Sequence, residues 1–183
     1  MAPVPVEAPE KQDSGTPVPV QKKLSNGIIL GPDGKPCRTC NDVASLFAFS
    51  GKKKPTAVAA APTTTPALPT DCPPDVEALG RSSWTLLHSI TATYPVNPTP
   101  ALQSETSSFL STFGKLYPCW VCAEDFQSWM AQNTPRVSSR SEFGTWMCEA
   151  HNAVNTKLGK KTFDCARWEE RWRTGWKDGR CDI

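Results

Sequence analysis

The chain has 183 residues, a net charge of +2 and 38% hydrophobic residues, enough for one ordinary domain. Its Lys and Arg residues number 20 against 18 Asp and Glu, and its only cationic run is three lysines at 52–54, so nucleic-acid binding has little support. No segment reaches the roughly eighteen apolar residues of a membrane span, and no secretory or mitochondrial presequence pattern opens the chain. We therefore expect a soluble, uncleaved protein without a membrane span.

Composition divides the chain near residue 70. Eleven of its eighteen prolines lie before residue 71, whereas all seven tryptophans lie between Trp84 and Trp176. A proline- and alanine-rich stretch offers little apolar surface to offset the entropy of the chain, so residues 1–70 are predicted to be a disordered tail. Residues 71–183 are long enough to bury roughly two thirds of their unfolded surface, and we predict that they form the folded domain.

Four helices are predicted in the folded part, because apolar residues recur at the helical interval and proline or glycine marks the ends. Their apolar stripes run from Val76 to Tyr94, from Leu102 to Leu116, from Cys119 to Met130 and from Phe143 to Leu158.

In the second of these helices, Leu102, Phe109, Phe113 and Leu116 are predicted to face inward, with Gly114 permitting a close approach. A short fifth helix is predicted over 165–172. Because runs of alternating Val, Ile and Thr are missing, no sheet is expected. The fold class predicted is all-α, a four-helix bundle with a short fifth helix, preceded by the disordered tail.

Cys119 and Cys122 form a Cys-x-x-Cys pair in the segment Tyr-Pro-Cys-Trp-Val-Cys. Pro118 is tolerated at a helix start, and unpaired backbone N–H groups there favour a thiolate over a thiol. Two thiols at this spacing can close a disulfide that is easily reopened. The pair is therefore a candidate for redox chemistry.

A second pair, Cys37 and Cys40, lies in the tail in a similar Pro-Cys-x-x-Cys context. Four thiolates would satisfy tetrahedral zinc, but 78 residues separate the two pairs and zinc sites use far tighter spacings. A thioredoxin-like domain would need alternating strands and helices. A mobile electron carrier in the tail is favoured, and a zinc-binding or disulfide-stapled interaction module without catalysis remains the alternative.

The other four cysteines stand singly. Cys148 and Cys165 suggest a structural disulfide, whereas Cys72 and Cys181 flank the folded part and are expected to pair within one chain or between two. An even cysteine number in a small domain suggests an oxidising compartment. Without a secretory signal, this indicates the mitochondrial intermembrane space, with the cytosol as the alternative.

The segment from Cys148 to Lys160 combines an aromatic side chain, amides and positive charge on one helix. His151 and Asn155 lie one turn apart, and Lys157 and Lys160 lie near its carboxyl end. A nucleotide would fit there, although no glycine-rich Rossmann motif follows a strand.

These pieces together resemble the Erv/ALR family of FAD-linked sulfhydryl oxidases. The resemblance spans nearly all of residues 71–183. Its matching segments are Asp71 to Asp75, Leu79 to His88, Tyr117 to Cys122, Trp146 to Leu158, and Phe163 to Cys181.

The resemblance implies a helical bundle that binds FAD and works as a homodimer. It implies that Cys122 reduces the flavin and that Cys119 exchanges with incoming dithiols. It implies a structural disulfide between Cys148 and Cys165, and places Cys72 and Cys181 where subunits are linked in some members. The residues implied to line the cofactor are Gly80, Arg81, Ser83, Trp84, His88, Tyr117, Cys148, His151, Asn152, Val154, Asn155, Lys157, Leu158, Lys160 and Trp172.

The tail pair Cys37 and Cys40 resembles the shuttle disulfide of the mitochondrial, fungal-type members. The resemblance then implies a thiol oxidase that takes electrons from the intermembrane-space import oxidoreductase and passes them to O₂ or cytochrome c. Oxidative protein import and folding would be the process served. About thirty residues separate Cys40 from Cys72, so a flexible tether would span roughly 30 Å.

Overall fold

The computed structural model of the chain describes residues 22–51 and 72–182. Within these ranges there are isolated β-bridges but no strand, which confirms the predicted all-α class. None of the helices described is long and apolar enough to cross a bilayer. The elements are, in order, a 3₁₀ turn (Arg38–Cys40), α1 (Val43–Ser50), α2 (Val76–Thr93), α3 (Pro100–Leu116), α4 (Trp120–Gln132), α5 (Arg140–Lys157), a second 3₁₀ turn (Cys165–Arg167) and a π-helical turn (Glu170–Thr174).

The four long helices begin at side chains that cap them. Asp75, Thr99 and Ser139 each accept a hydrogen bond from the backbone N–H three residues further on, and the sulfur of Cys119 does the same for α4. Each cap satisfies one of the amide groups that a helix start leaves without an internal partner. The capping residues in the sequence therefore determine where the helices α2 to α5 begin.

The bundle is built from two helix pairs, with α2 packed on α5 and α3 packed on α4. Its centre is formed by Leu87, Leu110, Phe143, Trp146 and Met147, all at most 2% exposed. Burying side chains of this size contributes roughly 1.5–3 kcal/mol each. The amino end of α4, which carries one cysteine pair, is therefore mounted on a rigid core.

The predicted inward face of α3 is wrong at two positions. Phe109 is 41% and Leu116 is 75% exposed, whereas Leu110 is fully buried. The face is rotated because Gly114 packs directly on α4, where a Cβ would approach the Met130 methyl group to 3.1 Å. The predicted close approach at Gly114 is thus confirmed, and it turns Phe109 and Leu116 outward.

The segment that follows α5 packs back on the bundle through a tryptophan. Trp168 is buried, and its indole lies against Gly144 of α5, where an added Cβ would come within 2.5 Å of the ring. A disulfide between Cys148 and Cys165 joins the same two elements. The predicted fifth helix therefore appears as two short turns anchored by a ring and a disulfide.

Part of the predicted disordered tail carries local structure, at residues 22–51. Two antiparallel bridges shape its first half, and α1, capped by Asp42, ends at Gly51 with a φ of 65°. Asn41 holds the turn between them, because its side-chain amide bonds the N–H and C=O of Ile29 and the C=O of Cys37. These hydrogen bonds therefore order the segment, together with the burial of Ile28 and Cys40, which are 4% and 5% exposed. The rest of the predicted tail lies outside the described residues.

Candidate functional site

A disulfide between Cys119 and Cys122 caps the start of α4, with the two Cα atoms 5.3 Å apart. The Cys119 sulfur accepts the Cys122 N–H at 3.4 Å. Cys119 is fully buried and Cys122 is partly exposed. When the bond opens, the helix amides stabilise a thiolate at this end of α4, and this is the form that exchanges with disulfides.

A narrow cleft lies between α4 and α5. Phe126 and Trp129 follow Cys122 on the same helical face and line the cleft, opposite Ala150 and Ala153 of α5. The free volume between the helices is about 20 Å³, so a planar ligand at this point requires side chains to move.

An ion pair crosses the mouth of this cleft. Lys157 Nζ lies 2.7 Å from Asp125 Oδ1, and both side chains are more than half exposed. Ion pairs in this setting contribute roughly 0–1 kcal/mol, so little free energy holds the mouth closed.

Four aromatic side chains form a cluster where α2, α5 and the π-helical turn meet; we call Trp84, His88, His151 and Trp172 the ring cluster. Trp84 stacks on His151 with centroids 4.2 Å apart, and His88 stacks on Trp172 at 4.4 Å. The two imidazoles share a hydrogen bond of 3.0 Å between His88 Nε2 and His151 Nδ1. The four rings thus form two stacked pairs, which the hydrogen bond between the imidazoles joins.

Both imidazoles of the ring cluster are neutral at physiological pH. Burial, with the nearby charges of His151 and Arg171, lowers the pKa of His88 to about 3. Burial and the charge of Lys160 lower the pKa of His151 to about 4. Each ring therefore offers one donor and one acceptor nitrogen.

The residues of this region fit a flavin nucleotide. His88 Nδ1 is buried and has no hydrogen-bond partner among the described residues, although buried polar groups are normally paired. Gly80, one turn before Trp84 on α2, has open space where a Cβ would be. A large planar heteroaromatic ligand needs polar groups to bond and flat rings to stack on. His88 Nδ1 and the ring cluster supply these, and the space at Gly80 lies on the same helix.

Tyr117, directly after α3, lies against Ser83 of α2. Burial raises the pKa of the Tyr117 phenol above its usual value, and a hydrogen bond to Ser83 opposes this shift. Tyr117 also contacts Phe113, with ring centroids 5.4 Å apart. The phenol is therefore a neutral, partly buried group.

The predicted cofactor residues are not all brought together. Arg81 pairs with Glu77 of α2, and 72% of its side chain is exposed. Leu158 is 61% exposed at the end of α5. Val154 and Lys157 line the cleft.

Two predicted cofactor residues have contacts in the C-terminal part of the bundle. The amide of Asn152 bonds the N–H and C=O of Phe163 at 2.8 and 2.7 Å, and it also contacts the Cys165 sulfur. Cys148 is closed in its disulfide with Cys165. For Asn155 and Lys160, the described contact is between their own backbones at 2.8 Å. Asn152 thus positions the loop after α5.

The second cysteine pair lies against the first. Cys37 and Cys40 form a disulfide with Cα atoms 5.2 Å apart, and their segment contacts α2 and α4. Trp120 Nε1 donates to the Leu30 carbonyl at 3.0 Å. Sequence reasoning misses Trp120 and Asn41, whose only signal is their position within or beside a Cys-x-x-Cys motif.

The remaining two cysteines, Cys72 and Cys181, carry free thiols in the described chain. Among the described residues, no three side chains of metal-ligating type are grouped around a common point.

Comparison with known proteins identifies relatives across most of the chain. The mitochondrial FAD-linked sulfhydryl oxidase ERV1 of Saccharomyces cerevisiae is 44% identical, covering 91% of this chain and 98% of that protein. The mitochondrial FAD-linked sulfhydryl oxidase erv1 of Schizosaccharomyces pombe is 42% identical, covering 79% of this chain and 90% of that protein.

Solved structures agree with these relatives. The crystal structure of the yeast Erv1 core is 53% identical, with a TM-score of 0.58, and covers 62% of this chain and 96% of that one. The FAD binding domain of Erv1 from Saccharomyces cerevisiae is 56% identical, with a TM-score of 0.55, covering 56% and 98%. The profile of the Erv1 / Alr family matches residues 81–173. The resemblance inferred from the sequence is confirmed, and the chain belongs to the Erv1 / Alr family.

Proposed function

We propose that this chain is an FAD-dependent thiol oxidase that makes disulfides in protein substrates. The carrying observation is the Cys119–Cys122 disulfide at the start of α4, which shares a helical face with the cleft residues Phe126 and Trp129 and lies on the helix that the second disulfide segment contacts. The relatives named above are FAD-linked sulfhydryl oxidases. A redox-active pair on a helix that meets both a ligand cleft and a second dithiol segment suits this reaction.

The residues that would hold FAD are the ring cluster, the cleft walls and Gly80. When bound, FAD supplies a two-electron acceptor that matches the two electrons of a dithiol and can be reoxidised. Cys122 lies on the α4 face that lines the cleft, so its thiol is assigned to donate to the flavin. The flat rings of Trp84 and His151 would stack on the cofactor, and His88 Nδ1 would gain a hydrogen-bond partner.

Exchange between the two pairs transfers electrons from the tail to the bundle. With the tail pair reduced, the Cys40 thiolate attacks the Cys119 sulfur. A Cys40–Cys119 bond forms, the Cys119–Cys122 bond breaks, and Cys122 leaves as a thiolate. The Cys37 thiolate then attacks Cys40, which closes Cys37–Cys40 again and releases Cys119. Two electrons have moved to the bundle pair.

Homodimer formation is part of the proposal. Leu86 of α2 and Phe109 and Leu116 of α3 are exposed apolar side chains, and an open depression of about 520 Å³ runs beside Leu86. Exposed apolar surface of this kind is typical of subunit contacts. The free thiols of Cys72 and Cys181 are available to link two chains.

The cellular setting is also proposed. Two relatives are named mitochondrial, and three disulfides in the described chain favour an oxidising compartment such as the intermembrane space. There, the protein substrate would be a dithiol protein such as the import oxidoreductase, and the final acceptor would be O₂ or cytochrome c.

The test separates the two cysteine pairs. In Cys122→Ser, anaerobic dithiothreitol should fail to bleach the flavin absorbance in a stopped-flow experiment, because the donating thiol is missing. In the control Cys37→Ser, bleaching by dithiothreitol should persist, but turnover with a protein dithiol should stop. Normal bleaching in Cys122→Ser, or a purified protein that binds no flavin, would overturn the proposed function.

A further inference from the structure

The residues between the cysteines of each pair hold the two pairs together. In the tail, Thr39 Oγ1 donates to the Pro118 carbonyl at 3.2 Å. In the bundle, Trp120 Nε1 donates to the Leu30 carbonyl at 3.0 Å. Each motif thus contributes one donor, and each donor reaches a backbone carbonyl of the other segment. We call these two hydrogen bonds the latch.

We propose that the latch orients the tail disulfide on the bundle disulfide, and that Trp120 and Thr39 are positioning residues for exchange between them. This inference rests on the proposed function, because it concerns how electrons enter the Cys119–Cys122 pair. It assigns a role to residues that the exchange chemistry itself does not use.

The latch is attached directly beside the two sulfurs that must meet. Thr39 precedes Cys40 and Pro118 precedes Cys119, so the bond between Thr39 and Pro118 ties the neighbours of the two cysteines. Cys40 is 5% and Cys119 is 0% exposed. Because attack on a disulfide requires an in-line approach, fixing the flanking residues reduces the orientations that must be searched.

The tail is shaped to present the Leu30 carbonyl. Leu30 and Pro36 form an antiparallel bridge that is flanked by the bonds from Gly31 N to Lys35 O and from Cys37 N to Ile29 O. In such a pair the amide and carbonyl of the bridged residue point away from the partner strand. The Leu30 carbonyl is therefore directed away from Pro36, where it accepts from the Trp120 indole and from no backbone N–H of the described residues.

Two further contacts support the docked position. Arg38 Nε donates to the Pro73 carbonyl at 2.7 Å. The Asn41 carbonyl accepts the N–H of Val76 at 3.4 Å, the first amide of α2. A helix start leaves this amide without an internal partner, so the tail satisfies a group that the bundle itself leaves open.

A tether alone would not supply this orientation. Because tail and bundle belong to one chain, their covalent connection gives an effective concentration near the millimolar range, which sets how often the pairs meet. The latch acts after the encounter, on the geometry of the two disulfides. Loss of the latch should therefore slow exchange between the pairs without affecting reduction of Cys119–Cys122 by a small dithiol.

A trapping experiment tests the latch independently of flavin chemistry. The full-length double variant Cys37→Ser/Cys122→Ser keeps one thiol of each pair, and diamide can oxidise Cys40 and Cys119 to a mixed disulfide as it is itself reduced. Its rate of formation is followed by peptide mass spectrometry. Adding Trp120→Phe keeps an aromatic ring but removes the indole N–H, and adding Thr39→Val removes the hydroxyl at nearly constant shape.

Each latch substitution should slow trapping about five-fold, as expected from loss of one hydrogen bond. The matched control is Thr93→Val, since Thr93 Oγ1 bonds only within α2 in the described contacts, and it should trap at the parental rate. Parental trapping rates in both Trp120→Phe and Thr39→Val would overturn the latch, whatever the flavin does.

A kinetic measurement distinguishes orientation from general damage. With all cysteines restored, Trp120→Phe should lower kcat with a protein dithiol about five-fold, because the step after docking is slowed. Flavin bleaching by dithiothreitol should keep the wild-type rate. If dithiothreitol and the protein dithiol slow equally, Trp120 is a structural residue and the latch is wrong. If dithiothreitol fails to bleach even the wild-type flavin, the proposed function fails instead.

Discussion

Two Cys-x-x-Cys disulfides in this protein share almost the same geometry but have different supports. The Cα separations are 5.2 Å for Cys37–Cys40 and 5.3 Å for Cys119–Cys122. The bundle pair caps a helix that packs on a fully buried core. The tail pair stands on a 3₁₀ turn that Asn41 and two bridges hold in place.

The two pairs differ in the buried contacts and hydrogen bonds that their segments lose when they move. Displacing the bundle pair would expose a large apolar core, whereas displacing the tail segment disturbs two buried apolar side chains, Ile28 and Cys40, and breaks a few hydrogen bonds with roughly 1 kcal/mol each at stake. Local opening is drawn from such weakly held segments. The same disulfide chemistry is thus suited to a fixed receiver in the bundle and a movable donor in the tail.

The largest expected effect on stability comes from the disulfide that takes no part in exchange. Cys148→Ala/Cys165→Ala opens a loop whose ends are 17 residues apart, and should cost about 3 kcal/mol. In a domain of this size the melting temperature should fall by more than about 10 °C. Differential scanning calorimetry measures the shift.

The matched control for that pair is Cys37→Ala/Cys40→Ala, which removes a disulfide from the tail. Its bundle melting temperature should stay within about 2 °C of the wild type, because the tail contributes little to the core. Equal shifts in the two double variants would remove the distinction between bundle and tail. Unchanged stability with lost activity in Cys148→Ala/Cys165→Ala would contradict its structural role.

A smaller effect is expected at the contact between α5 and the C-terminal segment. Gly144→Ala places a methyl group within 2.5 Å of the Trp168 ring, and such overpacking costs about 2 kcal/mol. Gly80→Ala on α2 is the matched control, because nothing lies within 4 Å of the added Cβ.

In the flavin-free protein, Gly80→Ala should raise stability by about 0.5–1 kcal/mol, since alanine is the better helix residue. Urea unfolding followed by circular dichroism compares both variants. A Gly144→Ala protein as stable as the wild type would mean that Trp168 moves without loss. Weaker FAD binding in Gly80→Ala would place the cofactor against this part of α2.

The sequence predicts those features of the fold that depend on hydrophobic periodicity and on residues that end helices. The four long helices were predictable because their apolar residues repeat at the helical interval and prolines mark their ends. The face of α3 was not, because which side is buried depends on Gly114 meeting α4. Phe109 and Leu116 therefore face outward, although their spacing is that of a core stripe.

The candidate site likewise contains residues that the sequence predicts and residues that it does not. The ring cluster and both cysteine pairs follow from motifs, whereas the exposed ion pair of Arg81 with Glu77 does not. Asn41 was not predictable, since its role depends on hydrogen bonds to Ile29 and Cys37 in a segment without periodicity. Composition alone therefore overestimates how much of the tail lacks structure.

The smallest effect on global stability, and the most local one, is expected at Asn41. Asn41→Ala removes the acceptor of the Ile29 N–H, at 2.9 Å, and the donor to the Cys37 carbonyl, at 2.6 Å. The melting temperature of the bundle should stay within about 2 °C of the wild type, while amide hydrogen exchange at Ile29 should accelerate roughly ten-fold or more. Asn26→Ala is the matched control, since its side chain bonds a single amide, that of Ile28, at the hairpin turn. If Asn41→Ala lowers the bundle melting temperature as much as Gly144→Ala does, the tail segment is part of the folded core and is not a separately movable donor.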